Sequence, residues 1–215
     1  MAPAASREAA ARFRAFMESL GLDLADPNLE DTDLRVARAY AELFAGLRPG
    51  AEPVLRTFPN AERYARMVSL LDIPFYSLCA HHFLPFFGTA HVAYVPGERI
   101  VGLSKLARVV EYFARRPQVQ ERLTEQVAGF LEDRLHPAGT MVVVRARHLC
   151  MEMRGVGKPG ASTTTSAVRG VFGDEALRRE FYGLLPDWAG ESGEVRSRPD
   201  EVEVPPALGL RVAGR

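Results

Sequence analysis

Cysteine is scarce. Two in 215 residues exclude a disulfide-stapled scaffold, so both thiols need another explanation. Long apolar runs are missing too. None approaches the roughly 20 residues that a membrane-spanning helix needs, and Arg7, Glu8, Arg12 and Arg14 interrupt anything resembling a secretory leader. Net charge is absent: 27 basic residues offset 27 acidic ones, with a sequence pI near 7.0. That balance argues against nucleic acid or an anionic membrane as a partner, while leaving room for a local basic pocket. What is present is the composition of a globular protein, 47% hydrophobic and 25% charged. A cytoplasmic enzyme or binding protein is the expectation.

Periodicity divides the chain into an N-terminal helical segment (1–50), a central domain (51–185) and a Pro/Gly-rich tail (186–215). Ser6 is the expected cap of a first helix carrying Phe13, Phe16, Met17 and Leu20 on one face, stopped by Gly21. A second helix is expected from Thr32, with Val36, Tyr40, Leu43 and Leu47 on one face. Strands are expected over 67–78, interrupted near Pro74, and over 88–95, closed by Pro96-Gly97. Ser104 then opens a helix with Leu106, Val109, Val110 and Phe113 inward. Pro117 suits the start of another, with Val119, Leu123, Val127, Phe130 and Leu131 buried. The segment 141–153 reads as the clearest strand, followed by a strand over 163–172 and a short helix over 175–185. Two helices inserted into a small antiparallel sheet make an α+β fold.

Both cysteines sit beside histidines, in Cys79-Ala80-His81-His82 and in His148-Leu149-Cys150, and these clusters hold three of the five histidines. Cys79 and His82 have a spacing that lets one tight turn offer two ligands to a metal. His148 and Cys150, two apart on an expected strand, share a face with Glu152 and Arg154. A zinc site of sulfur and nitrogen ligands fits this pattern. Buried core thiols are the better reading of a lone Cys-His pair; two such pairs in a cysteine-poor chain reverse that preference. Four ligands could close a structural site, or three could leave a position for water, and spacing does not decide. Ser104 and Lys105 lie at an expected helix N-terminus, with Arg108 one turn on, where free N–H groups attract phosphate; a solvated face with a capping serine is the plainer alternative. Gln120 and Glu121 open the next helix. A carboxylate there could accept from a guanine edge or simply complement the helix dipole.

The stretches Cys79-Ala80-His81-His82, Gly102-Leu103-Ser104-Lys105, Gln118-Val119-Gln120-Glu121-Arg122-Leu123-Thr124, His148-Leu149-Cys150-Met151 and Met153-Arg154-Gly155-Val156 closely resemble GTP cyclohydrolase I. So do Leu22-Asp23-Leu24-Ala25-Asp26 and Thr163-Thr164-Thr165-Ser166, and the resemblance runs in unbroken order from about Leu22 to Leu185. It implies zinc (Zn2+) bound by Cys79, His82 and Cys150, with His81 and His148 catalytic. It also implies Ser104, Lys105, Arg108 and Arg154 around the triphosphate and ribose, and Gln120 and Glu121 at the guanine. Arg35 and Arg38 match further phosphate contacts. The implied reaction opens the guanine imidazole ring of GTP, releasing formate and giving 7,8-dihydroneopterin triphosphate. The implied architecture is the tunnelling fold, with two helices between the second and third strands of a small antiparallel sheet. Its assembly is a homo-oligomer, a decamer of two face-to-face pentamers with active sites at subunit boundaries. Two departures stand out. Ala80 replaces a Glu found in most members, and Asp33 stands where a proline usually starts the second helix. Neither removes a ligand. A non-catalytic paralogue keeping zinc for structure is the alternative that Ala80 allows; retention of His81, His148, Glu121 and the cations argues against it.

Overall fold

The protein is described from a computed structural model, over residues 3–185. In chain order the elements are α1 (Pro3–Ser19), α2 (Thr32–Leu43), β1 (Thr57–Pro59), β2 (Val68–Cys79), β3 (Pro85–Val95), β4 (Arg99–Val101), α3 (Leu103–Ala114), β5 (Pro117–Gln118), α4 (Gln120–Leu135), β6 (Gly139–His148), α5 (Leu149–Glu152), β7 (Ser162–Gly170) and α6 (Glu175–Leu184). This is an α+β chain. It divides into two compact units, with the break after Tyr40, inside α2. The tail expected from Pro186 lies outside the described residues.

In the larger unit a five-stranded sheet runs in the order β5-β2-β3-β6-β7, antiparallel except for the short parallel bridge between β5 and β2. As expected, two helices separate the second and third long antiparallel strands. The helix faces follow the 3.6-residue period: Leu106, Val109, Val110 and Phe113 of α3 are buried, as are Leu123, Val127 and Leu131 of α4. They meet Phe75, Phe86, Val92, Val142 and Val144 of the sheet in one apolar core. Strand β6 is buried on both faces over Met141–Val144, which explains its run of β-branched residues without alternation.

Several boundaries differ from expectation for local reasons. Ser6 lies inside α1 rather than capping it. α2 stops at Leu43, and a separate 3₁₀ turn covers Ala45–Leu47. Gly102 occupies the N-cap of α3, with no side-chain cap, so Ser104 belongs to the first turn. Pro117 starts no helix; it pairs with Leu78 as part of β5. The interruption in β2 falls between Leu70 and Ile73, where the register shifts and Asp72 takes φ 53°. Pro74 instead stays in register with Thr89. β5 flanks β2 only at Leu78 and Cys79, so one side of β2 at Pro74 needs no ladder donor. The small β1–β4 ladder, Thr57–Pro59 against Arg99–Val101, has no counterpart in the sequence reading.

The displaced residue at the β2 bulge is held by a buried histidine. The Asp72 N–H donates to His91 Nδ1 at 3.2 Å, and Thr89 Oγ1 lies 3.4 Å from Nε2. His91 is fully buried, and burial holds its imidazole below the ordinary value of 6.5, against a smaller upward pull from Asp72. The unfolded chain therefore binds a proton here that the folded chain refuses. Stability from this site is complete above about pH 6.5 and falls as pH drops below it. Urea unfolding between pH 7.5 and 5 should show that slope, and His91→Asn, which keeps an acceptor near Nδ1, should be less stable but flatter. Equal slopes would remove His91 from the account.

Candidate active site

Two connections converge at one end of the sheet. Cys79 closes β2, and its carbonyl accepts from His82 N–H (3.3 Å) and Phe83 N–H (2.8 Å), while its own N–H donates to Leu84 O (2.9 Å). Phe83 absorbs the reversal at φ 55°. The Ala80 N–H donates to Gln118 O at 2.8 Å, and Gln118 is fixed in turn. Its buried amide donates to Phe113 O (3.0 Å) and Gln126 Oε1 (2.8 Å), and its oxygen accepts from Arg122 Nε (2.6 Å). The Cys-Ala-His-His turn therefore rests on a satisfied buried amide rather than on solvent.

The second connection follows β6. The expected strand through Met153 ends at His148, and residues Leu149–Glu152 turn into the short helix α5. Cys150 consequently reaches the cluster from a helical turn, not from the strand face it was expected to share with His148. The sulfurs of Cys79 and Cys150 and a ring nitrogen of His82 lie within 4.8 Å of one another. The Cys79 Sγ to His82 Nδ1 separation is 3.8 Å. Tetrahedral zinc with bonds of about 2.0–2.3 Å sets sulfur–nitrogen and sulfur–sulfur separations of about 3.6–3.8 Å, so the donor set fits such an ion and the Cys79–His82 pair already has its spacing. His81 Nδ1 is also 3.8 Å from Cys79 Sγ, but only His82 joins the group that includes Cys150. Burial, and then the neighbouring Cys79, pushes the Cys150 thiol up, opposed by Arg154. A divalent cation supplies the charge that lets adjacent thiols lose their protons.

His148 is set beside this group by two contacts. Its ring stacks on Phe86 at 4.7 Å and 3°, and its Nε2 is 2.8 Å from Gln120 Oε1. The Gln120 amide nitrogen donates to Val144 O (3.1 Å), Thr163 O (3.0 Å) and Thr165 Oγ1 (3.2 Å). The glutamine oxygen must therefore face the histidine, which assigns the proton to Nε2 and leaves Nδ1 as the basic nitrogen. Burial lowers the His148 pKa, while Glu121 and then Glu152 pull it back up.

Residues 9–185 match the family model for GTP cyclohydrolase I. Similar curated proteins bear the name GTP cyclohydrolase 1. That of Carboxydothermus hydrogenoformans is 52% identical, covering 80% of this chain and 90% of its own. Those of Mycolicibacterium vanbaalenii and a Geobacillus species are 53% and 52% identical, covering 82% and 80% of this chain and 89% and 92% of their own. The chain belongs to the GTP cyclohydrolase I family.

Among solved structures, an apo QueF-like archaeosine synthase aligns at 17% identity over 48% of this chain and 93% of its own, with a TM-score of 0.39.

The remaining residues singled out for a GTP cyclohydrolase I site fall into two sets. His81, Glu121 and Arg154 lie near the cluster: Arg154 donates to Cys150 O at 3.3 Å, and Glu121 acts on His148 through space. Ser104, Lys105 and Arg108 occupy the first turns of α3, and among the described residues no hydrogen bond or ion pair links them to the cluster. Arg35 bonds within its own helix, to Thr32 Oγ1 at 2.9 Å. The sequence reading gave Gln118, Phe86 and Arg147 no role. The alternation that places Phe86 and His148 on one face could have signalled the stack.

Gln120→Met should strand His148 Nε2–H and cost about 1–3 kcal/mol in urea unfolding. Exposed Glu121→Gln should change stability by less than about 0.5 kcal/mol. Wild-type stability in the first variant would remove the internal role of Gln120.

Proposed function

We propose that this chain is a zinc-dependent GTP cyclohydrolase I, opening the guanine imidazole ring of GTP to give formate and 7,8-dihydroneopterin triphosphate. The observation that carries this is one cluster holding Cys79, His82 and Cys150 with an anchored His148 beside it, in a chain of this family. Zn2+ held by those three residues supplies the Lewis acidity that makes water nucleophilic near neutral pH.

The protein's own residues do the rest. Ring opening at carbon 8 leaves a purine nitrogen that must gain a proton. His148 delivers it through Nδ1, because Nε2 is engaged by Gln120. Partial burial lowers its pKa, which makes the protonated ring a readier donor, and Glu121 and Glu152 oppose that shift. Neighbouring His81 assists the later ring-opening and ribose steps. Glu121 accepts from the two adjacent donors of the guanine edge, a pattern adenine does not offer. Gln120 contributes through His148, since its side-chain amide is spent internally. Ser104, Lys105, Arg108 and Arg154 receive the triphosphate and ribose. The family resemblance supports an assembly into a tunnelling-fold decamer of two pentamers, with the site completed at a subunit boundary. No helix among the described residues is long and apolar enough to cross a membrane, and the cytoplasm is the proposed location.

Purified protein given GTP should form a pterin that fluoresces after oxidation and dephosphorylation; no product from zinc-loaded protein would end this reading. His148→Ala should keep its zinc and lose roughly 10²–10⁴-fold in turnover. Cys150→Ala should lose metal and activity together. Zinc loss from His148→Ala with retention in Cys150→Ala would reverse the assigned roles. Separately, Glu121→Gln should weaken GTP binding by about 2–5 kcal/mol if bound guanine buries this exposed carboxylate, and unchanged affinity would exclude it from base selection.

A further inference from the structure

Glu152 is the least expected charge in the domain. It lies on α5, two residues past Cys150, and is only 8% exposed. Unpaired, a carboxylate there would be costly. Arg147, the residue before His148 on β6, grips it with a fork: Nε to Oε1 at 2.8 Å and Nη2 to Oε2 at 2.5 Å. The guanidinium also lies over the Phe87 ring at 5.9 Å, and Phe87 stacks on Tyr76 at 5.8 Å. The arginine is thus held against β3 before it grips the acid. The Gly160 amide faces the same carboxylate, and Lys158 N–H donates to Met151 O at 3.0 Å. One buried acid therefore joins the end of β6 to the helical turn carrying Cys150, and the Lys158–Met151 bond ties that turn to the loop carrying Arg154.

We propose that the Arg147–Glu152 pair is a positioning device that holds the α5 turn so that the Cys150 sulfur meets the Cys79 sulfur and the His82 ring nitrogen before metal arrives. Neither residue belongs to the Cys79–His82–Cys150 group. The pair acts on the ligand's backbone: α5 is a single turn of four residues, too short to hold its own geometry. Without the fork, Cys150 samples positions away from the cluster, and metal binding must then order the turn. The proposal rests on the reading that Cys150 is a ligand.

The test compares wild-type protein with Arg147→Met, Glu152→Gln, the double variant, and Glu125→Gln, which breaks the exposed Glu125–Arg169 pair elsewhere. Two quantities are read besides activity: the rate of zinc release to a chromogenic chelator, and the rise in melting temperature that zinc gives the metal-free protein. Partners that orient metal ligands contribute about 10–100-fold in affinity. Both single variants should therefore release zinc about 10–100-fold faster and show a smaller zinc-induced rise. The double variant should be little worse than either, since one interaction is being removed. Glu125→Gln should match wild type. A merely structural pair would lower the melting temperatures of metal-free and zinc-loaded protein equally and leave release unchanged, which would overturn the proposal. The double variant removes the buried carboxylate's charge together with its partner, so wild-type release from it overturns the proposal even if a single variant does not fold. Wild-type protein that holds no zinc would instead defeat the metal reading itself.

Discussion

The antiparallel register of β2, β3 and β6 is the constraint on which the site depends. Ser77 lies opposite Phe86, and Phe86 lies opposite His148. That single row brings the turn after β2 and the exit from β6 to the same end of the sheet. Nearly seventy positions separate the two Cys-His clusters along the chain, and no local propensity could bring them together. A slip of one residue between β3 and β6 would send His148 to the opposite face, away from Phe86 and Gln120. The bulge at Asp72 shifts the β2–β3 register once, and the His91 side chain fixes where that shift occurs. A histidine remote from the chemistry thus shares in setting the alignment that creates it.

A second layer of polar side chains turns this alignment into geometry. Gln118 and Gln120 are almost wholly buried, and each spends its amide inside the protein. One holds the Cys79 turn through its backbone carbonyl; the other holds His148 through its side-chain oxygen. Buried amides are costly unless satisfied, and when satisfied they allow few alternative arrangements. Arg147 and Glu152 do the same with charge for Cys150. The Cys79 turn and His148 are therefore each placed by a buried amide that is itself held by other bonds.

Apolar spacing was enough to read α3, α4 and the core of β6, because period alone separates an inward from an outward position in long elements. The two Cys-His pairs were legible as a metal site because few other residues compete for that explanation. The α5 turn was not. His148, Cys150 and Glu152 alternate as strand residues do, yet the strand ends at His148 and Glu152 turns back onto Arg147, a contact that no sequence period encodes. The internal role of Gln120 was hidden for a similar reason: its partners, Val144, Thr163 and Thr165, lie on two strands whose order beside α4 is a tertiary fact. Pro117 misled because proline suits both a helix start and a short edge strand, and only the pairing with Leu78 decides between them.

The placement of the core bears on what a metal would be for in this domain. Small zinc modules fold only when metal supplies the missing stabilisation. Here Leu106, Val109, Leu123, Leu131, Val142 and Val144 are each fully buried, along elements that extend well beyond the Cys79–Cys150 end of the sheet. A core of that extent stabilises the domain through apolar burial, so cation binding is not needed to form the sheet or its helices. A cation held by Cys79, His82 and Cys150 would act locally, joining two turns, after β2 and after β6, that the sheet brings together. The ligand geometry can then be tuned for reactivity rather than for holding the fold. His81 and His82 are exposed and His148 is only half-buried, so this end of the sheet is open to solvent.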